Sequence, residues 1–141
     1  MRIMFYCLAA TIVCCGCDTP VSEKGSYDYS IEQELDCFCP RGGVWVKLYV
    51  KADTIADAVR IADNNHLSYE EWRGYKTIKE LFLIASRIDT SVFEMKMRID
   101  SIDHYPSYLY FNPKPIIHGD TVQIITDVQM SYITNNYRRI N

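Results

Sequence analysis

The chain has 141 residues, 48% of them hydrophobic and 23% charged, with a formal net charge of −3. That length and apolar content suit one globular domain with a core of its own. Mild acidity without a basic cluster argues against nucleic acid as a partner and against an electrostatic grip on anionic lipid.

Met1 and Arg2 form a short cationic head, and Ile3 to Val13 form an apolar run broken only by Thr11, which is the layout of an export signal. The run is shorter than the roughly 20 apolar residues that cross a bilayer. Cys14-Cys15-Gly16-Cys17 resembles a bacterial lipobox, in which Gly precedes the cysteine that is lipidated and becomes the new N-terminus. Cys14 stands where Leu is commonest, so cleavage before Cys15 is one alternative and an ordinary secretory peptide is another. The expectation is a signal peptide over residues 1–16, a lipid on Cys17, a flexible tether over 17–26 and a single α+β domain over 27–135. Asp18 to Ser26, polar and punctuated by Pro20 and Gly25, suits the tether. Such a protein would sit in the cell envelope, on the periplasmic or extracellular side, with the membrane as a partner through its lipid anchor. Each buried acyl methylene contributes about 0.8 kcal/mol to that anchoring.

In the first strand, Tyr27, Tyr29, Ile31, Leu35, Cys37 and Cys39 share one parity, while Asp28, Ser30, Glu32, Glu34 and Asp36 share the other. Val44, Val46, Leu48 and Val50 alternate with Trp45, Lys47, Tyr49 and Lys51 in the second. Asp53-Thr54 turns the chain towards a third strand around Ile55 to Ile61, where an Ala-rich pattern leaves helix as the alternative. Ser68-Tyr69-Glu70-Glu71 and Thr77-Ile78-Lys79-Glu80 each match a capping box. The first opens a single turn ended by Gly74. The second introduces a helix whose apolar stripe is Ile78, Leu81, Phe82, Ala85 and Ile88. Phe93, Met95, Met97 and Ile99 then alternate with Glu94, Lys96, Arg98 and Asp100. Tyr105-Pro106 leads into a strand over Ser107 to Phe111, ended by Asn112-Pro113-Lys114-Pro115, since Pro cannot donate to a sheet ladder. A last strand is expected over about Val122 to Tyr132, with a parity slip near Ile124-Ile125 that marks a bulge. The fold class is therefore α+β: an antiparallel sheet of about five to six strands with one main helix packed on one face, in the order βββ-α-βββ.

The stretch from Tyr27 to about Tyr132 resembles the bacterial lipoproteins grouped as domain of unknown function 6174. The resemblance is carried by Tyr27-Asp28-Tyr29, Cys37-Phe38-Cys39-Pro40, the hairpin of valine-rich strands, Tyr75-Lys76-Thr77-Ile78 before a helix with Leu81-Phe82 and Ile84, and Tyr105-Pro106 ahead of a strand. Where that family usually has Asp-Gly in the hairpin turn this chain has Asp53-Thr54, and His104 replaces the usual Gly before Tyr-Pro. The resemblance implies a fold and a location but no activity.

Cys37 and Cys39 form the one constellation with chemical potential. Oxidising conditions favour a bridge between them, which needs a local kink that Pro40-Arg41-Gly42-Gly43 permits. Two reduced thiols, a redox pair with Arg41 as the nearby cation, or a metal site are the alternatives. His66, His104 and His118 lie on expected loops at irregular spacing and supply no metal-ligand pattern. No phosphate loop, His-Glu-x-x-His helix or Gly-x-Ser-x-Gly elbow occurs. Glu70-Glu71 and Asp100 with Asp103 read as capping or solvated carboxylates rather than acid/base pairs. No catalytic residue, metal site or cofactor is expected. Trp45, Tyr49, Tyr108 and Tyr110 fall on the nominally polar parity of their strands; an exposed aromatic patch there would bind an envelope partner, and the alternative is that the helix covers this face or a larger sheet curls over it. Two functions follow: a noncatalytic, membrane-tethered binding module, or a thiol-dependent redox or metal protein using Cys37 and Cys39.

Overall fold

Alternating side chains in the first two strands bury one row each. In β1 (Tyr29–Cys37) Ile31, Gln33 and Leu35 are buried, and in β2 (Val44–Lys51) Val46, Leu48 and Val50 are buried. The computed structural model describes residues 27–37, 39, 42–118, 121–123 and 129–140. The signal peptide, Cys17, the tether and the expected bulge near Ile124-Ile125 lie outside these residues.

A two-residue turn at Ala52-Asp53, with φ of 48° and 59°, joins β2 to β3 (Thr54–Arg60). Both turn residues occupy the left-handed region that two-residue hairpins require. The turn is therefore Ala52-Asp53, not Asp53-Thr54, and the segment that could have been helix is a strand. The Ala52 N–H donates to Asp28 Oδ2 at 2.6 Å, which ties the turn to the start of β1.

Both capping boxes are present. Glu71 accepts from the Ser68 N–H and opens α1 (Tyr69–Trp72), while Thr77 Oγ1 accepts from the Glu80 N–H and opens α2 (Ile78–Arg87). Leu81 is fully buried, with Ile78, Ile84 and Ala85 beside it against the core. Phe82, expected in that stripe, is 41% exposed. It lies on the flank of the helix, where Ile84 takes the packing position instead.

The remaining strands are β4 (Phe93–Ile99), β5 (Pro106–Pro113), the short β6 (Ile116–His118) and β7 (Thr121–Gln123), and β8 (Met130–Arg139). The last expected strand, Val122 to Tyr132, is thus split into β7 and β8, and the sheet runs on past residue 135. Among the described residues, six strands form one antiparallel sheet in the order β3-β2-β1-β8-β5-β4, and β6 pairs with β7 separately. The α+β architecture and its βββ-α-βββ order are those expected. β8 bulges at Asn136 (φ 51°), where the register against β1 shifts between Ser30 and Glu32.

Both helices pack on the face that carries Ile31, Leu35, Val46, Leu48, Leu109 and Tyr132. Gln33 sits in the middle of this apolar layer. Its amide donates to the Lys76 carbonyl and to Thr134 Oγ1, and its Oε1 accepts from the Lys76 N–H. One side chain thereby satisfies both backbone groups of Lys76 and fixes the link between the helices on the sheet. Tyr75, 2% exposed, donates its hydroxyl to the Val44 carbonyl from the same link.

Candidate functional site

β1 ends at Cys37, opposite Met130 of β8. Just beyond it the backbone folds back, with the Cys39 N–H donating to the Cys37 carbonyl at 2.7 Å and the Gly42 N–H to the Cys39 carbonyl at 3.0 Å. This is the kink that a bridge between residues i and i+2 needs. Cys37 and Cys39 form a disulfide, their Cα atoms 5.2 Å apart. The two residues have unlike surroundings: Cys37 is half-buried and packs against the core cluster, whereas Cys39 is exposed. Gly42 makes the fold-back possible, because a Cβ there would lie 2.6 Å from the Cys37 carbonyl oxygen. Gly43 follows at φ 77° and donates its N–H to Leu35, returning the chain to β2. Arg41, the cation considered for a redox pair, lies outside the described residues.

The aromatic side chains lie on the other face of the sheet, which neither helix covers. Register places Trp45 opposite Glu34, Glu34 opposite Ile133, Ile133 opposite Tyr108 and Tyr108 opposite Arg98, so these five form one row across the sheet. Tyr110 lies in the next row, between Ser131 and Lys96. All four aromatics are half-buried. Lys47 sits over the ring of Tyr49, Lys96 over Tyr110 and Arg98 over Tyr108, while Tyr27 packs on Tyr49 at 5.0 Å. The sheet thus puts Trp45, Tyr49, Tyr108 and Tyr110 on one open face but splits them into two pairs. Glu34 and Ile133 separate the pairs, and sequence pattern alone did not single out either. A shallow cleft of about 500 Å³ opens beside Trp45, lined also by Glu32, Ile61 and Asn135.

The histidines and carboxylates do not converge. His66 Nδ1 lies 2.9 Å from Asp57 Oδ1 on an exposed rim, His104 is in the turn before β5, and His118 falls in β6 rather than a loop. Among the described residues no three His, Cys, Asp or Glu side chains are grouped to hold a metal. Glu70 pairs with Arg73 at 3.0 Å, and Glu71 caps α1. Asp100 accepts from the N–H groups of Asp103 and Ile102, and those bonds hold its carboxyl below the usual range. These acids shape turns.

Residues 22–130 match the model of a family described as a family of unknown function, DUF6174. The chain belongs to that family. Its central strand β8 lies almost wholly beyond the matched segment. No curated protein and no solved structure matches the chain.

Proposed function

We propose that the Cys37–Cys39 pair is a thiol–disulfide exchange element on a lipid-anchored protein of the cell envelope. One observation carries the reading: the bridge joins an exposed residue, Cys39, to a half-buried one, Cys37, at the end of β1. A partner thiolate reaches Cys39 first, forms a mixed disulfide with it and releases Cys37 as thiolate. A second thiol of the partner then attacks the mixed bond, leaving both cysteines reduced and the partner as a disulfide, with two electrons and two protons transferred. The fold tolerates this opening, because chain entropy credits so short a loop with only about 1.6 kcal/mol. The anchor rests on the export-signal layout and Gly16-Cys17, which also place the protein where disulfides persist.

In the full-length chain, Cys37→Ser should leave a Cys39 thiol that attacks the disulfide of an oxidised partner, the reverse of the steps above, and stays joined to it as a mixed disulfide, whereas Cys39→Ser should trap few. Equal trapping by both variants, or none by either, would sink the exchange reading. Mass spectrometry of the envelope fraction should find an acylated Cys17 as the N-terminal residue; an intact Met1 would refute the anchor.

A second reading is favoured by the helix-free face. Trp45 and Tyr108 in one row, flanking Glu34 and Ile133, suit a noncatalytic module that captures an envelope partner. Replacing both Cys37 and Cys39 by Ser separates the two readings: capture survives under this one and function is lost under the first.

A further inference from the structure

The two edges of the six-stranded sheet are finished differently. Along the second half of β3 the outer edge is occupied: Val59 bridges to His66, Leu67 donates to the Ala58 carbonyl and Arg60 to the Asn65 carbonyl. β4, at the other edge, pairs only with β5 among the described residues. Pro113 faces Phe93 and has no N–H, while Lys114 donates to the Val92 carbonyl. Even-numbered residues of β4 therefore direct their backbone groups to β5, and Met95, Met97 and Ile99 direct theirs to the open edge. The side chains of these same residues lie on the helix-bearing face, where Met97 is 41% and Ile99 39% exposed. An open ladder beside exposed apolar side chains is a template for another strand.

The sequence of β4, Phe93-Glu94-Met95-Lys96-Met97-Arg98-Ile99, is complementary to itself when reversed. We propose that two copies of this chain join antiparallel through β4, about a two-fold axis at Lys96, fusing two sheets into one. In that register Met95 faces Met97 and Phe93 faces Ile99 on the helix side, while Glu94 faces Arg98 on the open side, each pair occurring twice by symmetry. The one like-charge contact is Lys96 with its copy. Each Lys96 already leans back towards β5, its Nζ 2.9 Å from its own Glu94 and over the ring of Tyr110.

Sedimentation equilibrium of the full-length chain, in an excess of density-matched detergent micelles, tests the proposal. The wild type should show the mass of two chains, dissociating on dilution. E94R and R98E should each raise the dissociation constant by about tenfold or more, and the double variant E94R/R98E should bring it back to within about threefold of wild type. A one-chain mass at about 100 µM, or a dimer indifferent to the single charge reversals, overturns the proposal. A second measurement leaves the charges alone: a benzophenone side chain at position 97 should crosslink to the peptide around Met95 of another copy. Crosslinks confined to other proteins overturn it as well.

Discussion

A Cβ on Gly42 would sit 2.6 Å from the carbonyl oxygen of Cys37, closer than such atoms pack. Gly42→Ala should therefore destabilise the domain by about 1–3 kcal/mol, read as a lower urea midpoint, because the obstacle is backbone and cannot swing aside. His104 poses the opposite case. Its φ of 55° places a side chain in the left-handed region, which glycine enters without steric cost. His104→Gly should raise stability by about 0.5–1 kcal/mol with an unchanged denaturant slope. Asp53, at φ 59°, should respond in the same direction. Its ion pair with Lys79 at 2.8 Å is largely exposed, so losing it matters little.

At the scale of elements, the link between α1 and α2 depends on Gln33. Gln33→Leu would leave the Lys76 N–H and carbonyl without that partner in a buried layer, at a cost of about 2–3 kcal/mol, against about 1 kcal/mol for Thr77→Ala at the α2 cap. Urea denaturation of the two variants side by side checks the order. Gln33 was legible only as an exception, a polar residue on the apolar parity of β1. The capping boxes at Ser68 and Thr77 were legible because their bonds are local. The alternation of β1, β2 and β4 was legible because the two faces of each strand differ. β8 was not, for three physical reasons: Thr134 is on the covered face, Ile133 is on the open one, and the bulge at Asn136 flips the parity beyond it. The aromatic residues could be assigned to a face from parity, but their split into two pairs follows from long-range register. Phe82 was misplaced because helical spacing gives a stripe its centre at Leu81 without saying how wide a strip the sheet contacts.

For the molecule as a whole, burial pushes the phenols of Tyr29 and Tyr132 up to about 12 from an ordinary 10.0. The folded state prefers them neutral, so their contribution is fully present below about pH 10 and is lost as pH rises through 12. The thermal midpoint should hold up to about pH 10 and then fall, less steeply in Tyr132→Phe; a midpoint unchanged at pH 12 would contradict the assignment. The strand order has a further consequence. β3-β2-β1 and β5-β4 are each hairpin-connected runs, and among the described residues only β8, the last of the strands in chain order, bridges them. Until β8 inserts, the polypeptide holds two unjoined fragments, and the two-stranded β4-β5 hairpin is too small to be stable alone. Closing late over such sequence distances is slow. A chain of this kind stays open until its last described strand is in place, and the β4-β5 hairpin gains its neighbour in the sheet only then.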